Sequence, residues 1–235
     1  IVGFLETADR FHGAWSHWVN GFSGKTIPFS TKDNGGDIIE TSLLVSGLLT
    51  ARAYFDGAEE ASLRTRITAL WEAVDFAWYV HNGAIFWHWS PNYDWQMNLP
   101  IRGWNEGLIT YVIALGSPTH PVAKSVYDQR WTHSGYKNDK TYFGYQLPLG
   151  PASGGPLFFA HYSFMGLDPR KMADPFAGYW YQNSVHTRIK RAYCVQAAPK
   201  ENGYGPDLWG LTASDNPDGY NAPSPTNDNC TIAPT

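Results

Sequence analysis

The stretch Ser30–Leu44 reads STKDNGGDIIETSLL. It sets three carboxylates, Asp33, Asp37 and Glu40, around a glycine pair and ahead of a long apolar run. Asp37-Ile-Ile-Glu40 has the form of a capping box. In that motif Asp37 caps open backbone N–H groups and Glu40 reaches back to the N–H of the cap residue. The same spacing also suits chemistry, because residues three apart on a helix share a face. Asp33, four residues earlier across Gly35-Gly36, can fold back over the same mouth. A fourth acid, Glu106, stands in GWNEGL, at the start of an apolar helical pattern. Inverting glycoside hydrolysis needs two such groups, one to protonate the leaving oxygen and one to activate a water. The positive end of a helix dipole favours a charged base. The residues alone therefore point to Asp37 or Glu40 working with Glu106, although a lone capping box is more often purely structural.

Other chemistries lack their signatures. The chain has no G-x-S-x-G, H-E-x-x-H, C-x-x-C or Walker loop. Its eight histidines are scattered. His12 with His17, and His81 with His88, read as hydrogen-bonding residues near a cleft, so no metal or other cofactor is expected. Asp168, Asp207, Asp215 and Asp218 lie near glycine or proline and read as turn and cap residues. Cys194 falls in a helical pattern as a small buried thiol. With Cys230 it could form one pair, which is no disulfide framework. Asn229-Cys230-Thr231 matches a glycosylation sequon of the kind chance supplies.

Composition adds the second clue. The 235 residues include 11 Trp, 14 Tyr and 12 Phe. Many sit beside Gly, Asn, Asp, His or Pro, as in HGAWSHW, IFWHWSPNYDW, RGWNEG, GYWYQNS and GYGPDLWG. Some must build the core. As a set they suit a carbohydrate-lined cleft, where flat rings stack on sugar C–H faces and polar neighbours bond the hydroxyls. The candidates for sugar contact are Trp15, His17, Trp18, Trp87, Trp89, Trp104, Asn105, His161, Tyr162 and Trp209. The net charge of −4 and the lack of a basic run give nucleic acid no electrostatic foothold. No apolar segment is long enough to span a bilayer. A chain of this size supports one large domain.

The elements that must position these groups are mostly helical. Residues 1–11 read as the last turns of a helix. Ile38–Phe55 is apolar around most of its circumference, the mark of a buried helix. Glu59–Val80 keeps its apolar residues on one face, as a surface helix does. GAIFWHWS and YDWQMN read as two strands of a hairpin turning at Ser90-Pro91-Asn92. Helices follow at 105–115, 121–131, 156–166 and 175–198, with a strand at 141–146 and a further helix from Gly205. The count of seven or eight helices with little strand predicts a mainly α protein. From Ser214 onward the tail reads as loop.

Five blocks then combine into a resemblance: RFHGAWSHWVNG, FSTKDNGGDIIETSLLVSGLLTARAYF, FWHWSPNYDWQMNLPIRGWNEGLITYVIALGSPTHP, GGPLFFAHYSFMGLDPR and NDNCTIAPT. In order and over nearly the whole chain, they resemble the bacterial glycoamylase-like domain of glycoside hydrolase family 144. These are the endo-β-1,2-glucanases, with relatives inside cyclic β-1,2-glucan synthases. The resemblance implies an (α/α)6 toroid with short β-hairpins at its cleft end. It also implies inverting, metal-free hydrolysis of linear β-1,2-glucan to sophoro-oligosaccharides by an exported or periplasmic, monomeric protein. Its important acids fall on Asp33, Asp37, Glu40 and Glu106, with acid and base left unassigned because protons can travel through waters or a substrate hydroxyl. Residues 1–235 would then be one catalytic domain lacking the first and last helices of a full toroid, a piece of a longer protein. Hydrolysis or transglycosylation at another glucan linkage, and sugar binding without catalysis, are the alternatives.

Overall fold

The computed structural model describes residues 1–216 and 219–228. The expectations for Asp218, Cys230, the sequon and the last residues lie outside that range. The protein is mainly helical with short hairpin strands, and its described residues divide into two compact units. The first comprises residues 1–101 and 107–131, the second residues 102–106 and 132 onward.

In the first unit, α1 (Val2–Thr7) leads into the strands β1 (Arg10–Phe11) and β2 (Ala14–Trp15), so the opening helix is shorter than its pattern suggests. Strands β3 (Trp18–Val19) and β4 (Thr26–Ile27) pair next, followed by β5 (Gly36–Asp37) and α2 (Ile38–Tyr54). Helix α2 buries Ile38, Ile39, Val45 and Leu48 and packs on both α3 (Ala61–Glu72) and α4 (Leu108–Leu115). Helix α3 buries only Ile67 and Leu70, as a surface helix should. It stops at Glu72 rather than Val80 because another segment takes over its backbone. The Asp75 N–H donates to the His12 carbonyl at 3.0 Å, and Asp75 Oδ1 accepts from the Trp78 N–H at 2.9 Å.

The expected hairpin across Ser90-Pro91-Asn92 shrinks to a single antiparallel bridge between Ser90 and Asp94. Instead β6 (Val80–His81) pairs with β7 (Ala84–Ile85), and β8 (His88–Trp89) pairs with β5. The turn that decides this is Asn82-Gly83, with φ of 51° and 76°. Positive φ at both positions suits the right-handed twist of a two-residue hairpin. His12-Gly13 and Phe143-Gly144 turn their hairpins in the same way. Residues 105–107 are not helical, so Glu106 stands in a turn just before α4. The segment 121–131 holds only the single turn α5 (Lys124–Val126) and a π-helical turn ending at Trp131, which is fully buried.

In the second unit, β9 (Lys137–Tyr142) and β10 (Tyr145–Leu149) form a hairpin where one strand was expected. They pack on α6 (Tyr179–Gln196), and Leu147, Val185 and Ile189 form a core cluster. The helix starts at Tyr179 rather than Pro175. Asp174 Oδ1 accepts from the N–H groups of Phe176 and Ala177, which closes a turn there instead. Residues 156–166 form two 3-10 turns, Leu157–Ala160 and Tyr162–Met165, not an α-helix. Gly205 and Leu208 make an isolated bridge, and a short hairpin joins β11 (Ser214–Asn216) to β12 (Gly219–Asn221) in what reads as loop. Cys194 is buried, as expected.

Candidate functional site

The opening motif is held where the β5–β8 ribbon runs into α2. The glycine pair is explained by close approach. A Cβ on Gly35 would collide with the backbone carbonyl of Trp89, and one on Gly36 with the hydroxyl of Tyr79. That hydroxyl is itself fixed, donating to the Phe11 carbonyl at 2.8 Å. The strand before Asp37 thus lies tight against β8 and Tyr79, and the carboxylate points inward.

Asp37 is the N-cap of α2. Its Oδ1 accepts from the N–H groups of Ile39 and Glu40, each at 3.0 Å. Its Oδ2 accepts from His17 Nδ1 at 2.8 Å and from the Trp87 indole N–H at 3.2 Å. The side chain is 0% exposed, so four N–H donors replace the water it gives up. Asp33, also buried, lies 3.2 Å from His88 Nδ1, and that nitrogen is 3.7 Å from Asp37 Oδ2. His88 therefore stands between two buried carboxylates.

Glu40 behaves differently from its role in a capping box. The backbone of Asp37 pairs with β8, and no bond from its N–H to the Glu40 carboxylate is present among the described residues. Glu40 is half-buried in the first turn of α2. Burial first, and then the negative charge of Asp37, push its pKa above the ordinary glutamate value, against a partial pull from His17 and His88. The pKa of His17 is raised too, mainly by its hydrogen bond to Asp37 and against its own burial. The cluster therefore raises the pKa of both Glu40 and His17, beside two acids that are almost wholly buried.

A wall of aromatic rings borders His17. Its ring lies 4.2 Å from Phe29 and 5.9 Å from Trp18, and those two rings meet edge to face at 4.9 Å. Trp18 is 51% exposed and Phe29 49%. On the reverse of β8, Trp89 meets His12 and Trp78, which stack at 3.8 Å.

One ligand atom each of His17, Asp33 and Asp37 lie within 4.8 Å of one another, and these are the residues that could hold a cation. The donor pattern fits a cation poorly. Asp37 Oδ2 already accepts two N–H bonds, and the Trp87 indole can only donate. A cation there would strand that N–H.

The structure gathers Asp33, Asp37, Glu40, His17 and Trp87 into one site, with Trp18 on its rim. Trp89 flanks it through β8. Trp15 belongs to the core instead. It is 2% exposed, with its indole N–H on the Leu5 carbonyl and its backbone N–H on Thr41, so no ring face is open to a sugar. Trp104 is likewise a core residue, 2% exposed and stacked on Tyr179 at 5.5 Å. Glu106 and Asn105 lie in the second unit, both half-buried. The Glu106 carbonyl accepts from Ser163 Oγ at 2.6 Å, which braces its turn. His161 and Tyr162 are exposed on the 157–166 segment, and Trp209 is half-buried.

Sequence reasoning read His88 as a hydrogen-bonding residue near a cleft without placing it among the site residues, and passed over Phe29. The signal for His88 was available in FWHWS, because alternation along a strand turns it away from its two tryptophan neighbours. Phe29 carries no comparable signal, since the loop after β4 alone brings it to His17.

A buried Asp–His network under a half-buried glutamate, faced by exposed rings, defines an acid–base site with a flat apolar wall. Residues 98–235 match the family model described as "Putative glucoamylase", and the chain belongs to this glycoamylase family. It is 42% identical over 261 aligned positions to a protein of Parabacteroides distasonis named exo β-1,2-glucooligosaccharide sophorohydrolase (non-reducing end). That match covers all of this chain and 36% of the relative. An endo-β-1,2-glucanase of Chitinophaga pinensis, solved with sophorotriose and glucose, is 50% identical with a TM-score of 0.92. There the match covers 97% of this chain and 57% of that one. A β-1,2-glucanase structure from P. distasonis is 41% identical, with a TM-score of 0.93 over 97% of this chain and 36% of its own. The chain thus spans between about a third and somewhat over half of the length of these relatives.

Proposed function

We propose that the protein hydrolyses β-1,2-glucan to sophoro-oligosaccharides by inversion, using carboxyl groups and no metal. The observation that carries this reading is the half-buried Glu40, its pKa raised by burial and by Asp37, in the same cluster as the Asp37–His17 pair, in a chain 41–50% identical to β-1,2-glucan hydrolases. Glu40 supplies the proton to the leaving glycosidic oxygen as the C1–O bond breaks. A water attacks C1 from the opposite face, and its proton passes to a second carboxylate. We give that second role to Glu106, which the resemblance of WNEG marks as one of the important acids without saying which is acid and which is base. Asp37 has no exposed surface and Asp33 almost none with which to touch a sugar. They act as positioning residues, Asp37 through His17 and Trp87, and Asp33 through His88. Trp18 and Phe29 offer ring faces for a glucosyl unit beside the acid.

In this reading the helices belong to an (α/α)6 toroid of which the chain carries part, and the protein works as an exported or periplasmic monomer. Among the described residues no helix is long and apolar enough to cross a membrane. The relatives include both an exo-acting and an endo-acting enzyme, so the products identify the mode. Endo cleavage of linear β-1,2-glucan gives a ladder of oligosaccharides, and exo cleavage gives sophorose alone. Incubation of the full-length protein with that glucan and reading of the products by chromatography tests the proposal. Absence of new reducing ends overturns it.

A further inference from the structure

The second unit carries an open pocket of about 580 Å³ between the first half of α6 and the turns of residues 157–166. Pockets of this size take small organic ligands. We propose that it is a second glucan-binding subsite, in which a glucosyl ring stacks on Trp180 while Asn183, His161 and Arg188 meet its hydroxyls. This rests on the glucanase reading above and joins Trp180, Asn183 and Arg188, which that reading does not use, to His161.

Trp180, Asn183, Ser184, Thr187 and Arg188 recur at three- and four-residue spacing, so they share one face of α6. Trp180 is 57% exposed, a large indole face left in solvent at the start of the helix. Asn183 is more than nine-tenths buried, and among the described residues its side-chain oxygen has no hydrogen-bond partner although the residue lines the pocket. A buried amide oxygen without a donor is unfavourable, and in this proposal a hydroxyl bound in the pocket, met by a small turn of the side chain, supplies one. The remaining polar groups are fixed in place. Thr187 Oγ1 donates to the Asn183 carbonyl at 2.8 Å and lies 3.4 Å from His161 Nε2. The Arg188 guanidinium rests 6.0 Å from the Tyr145 ring centroid. The lining is mostly apolar, which suits the C–H faces of a sugar ring on Trp180, and the amide, imidazole and guanidinium offer polar groups for its hydroxyls. The opposite wall ties the pocket to the proposed chemistry. His161, Phe164 and Met165 line it, and Ser163 in the same turn donates to the Glu106 carbonyl.

The test compares wild-type full-length protein with Trp180→Ala and Asn183→Ala, using long linear β-1,2-glucan and a short sophoro-oligosaccharide. Trp180 is a solvent-facing residue, so its variant is expected to keep its melting temperature, and Trp180→Tyr supplies a conservative control. The expected result is a KM for long glucan raised about tenfold by Trp180→Ala, the scale of one lost aromatic contact, with kcat unchanged and Trp180→Tyr largely restored. Calorimetry with the same oligosaccharides in a Glu106→Gln background reads binding without turnover. Binding that depends on Trp180 in a protein that cleaves no glucan supports the subsite and overturns the catalytic reading. Cleavage with a KM and calorimetric affinity indifferent to Trp180 and Asn183 overturns the subsite alone. A fall in kcat at constant KM also overturns it, since that marks a structural role.

Discussion

Replacing Glu40 by Gln separates the two uses of the opening motif. In a capping box, loss of the returning side chain weakens the helix start, and cap residues contribute about 1 kcal/mol. The structure removes that cost, because the pairing of β5 with β8 holds the Asp37 backbone and both Asp37 cap bonds come from Asp37 itself. The variant should therefore lose well under about 1 kcal/mol, less than roughly 2–4 °C in melting temperature for a protein of this size. The charge argument points the same way. The folded state raises the pKa of Glu40, so stability from this group is present below its ordinary value of 4.5 and lost as pH rises through the folded pKa. Gln carries no charge to bury, so at pH 7 the variant should equal or slightly exceed wild type, an advantage that disappears below pH 4.5. Activity should respond in the opposite sense. Removing a positioned acid costs roughly 10²–10⁴-fold in rate, or about 3–5 kcal/mol in the barrier. Reducing-end release and thermal melting on the same preparation check both. A variant that melts several degrees lower, or that keeps most of its rate, refutes the reasoning.

Asp37→Asn keeps an acceptor for the two cap N–H groups but faces His17 and the Trp87 N–H with a donor. It should lower the melting temperature by a loss of about 2–4 kcal/mol, and histidine NMR should show the His17 pKa falling toward 6.5, since the Asp37 bond is the main cause of its rise. Gly36→Ala should destabilise strongly by displacing the Tyr79 hydroxyl, readable as a lower denaturation midpoint. Lys190 is fully buried without an acceptor among the described residues, and burial holds its pKa down to about 7 from 10.5. Its charged form is disfavoured in the fold, so stability is lost as pH falls from 10.5 to about 7. Lys190→Met should raise the melting temperature at pH 7, by a gain on the order of 1–4 kcal/mol, and flatten its dependence between those pH values.

The sequence made the central helix and its carboxylates legible because two strong signals coincide there. The apolar run of α2 has helical length, and Asp37 is both a good cap and a buried ligand for N–H groups. The surface character of α3 was equally readable from its one-sided apolar face. What failed were boundaries decided by distant partners. The end of α3 is set by His12, which accepts the Asp75 N–H, and no local pattern announces that bond. Strand β8 looked like half of a hairpin with YDWQMN, but Asn82-Gly83 was the stronger turn and left β8 to pair with β5, with only the Ser90–Asp94 bridge beyond it. Aromatic composition pointed to a sugar site without sorting its members. Trp15 and Trp104 share their glycine- and polar-rich surroundings with Trp18, and only packing shows which rings are buried.

The account rests on Glu40 and Glu106 being acids of one hydrolysis of β-1,2-glucan. The direct measurement is release of reducing ends from linear β-1,2-, β-1,3- and α-1,4-glucans by full-length wild-type, Glu40→Gln and Glu106→Gln proteins. Each variant must first be shown folded by its melting curve. The account predicts cleavage of the β-1,2-glucan alone and loss of nearly all of it in both folded variants. Preference for another linkage, or a folded variant that retains most of the wild-type rate, contradicts it.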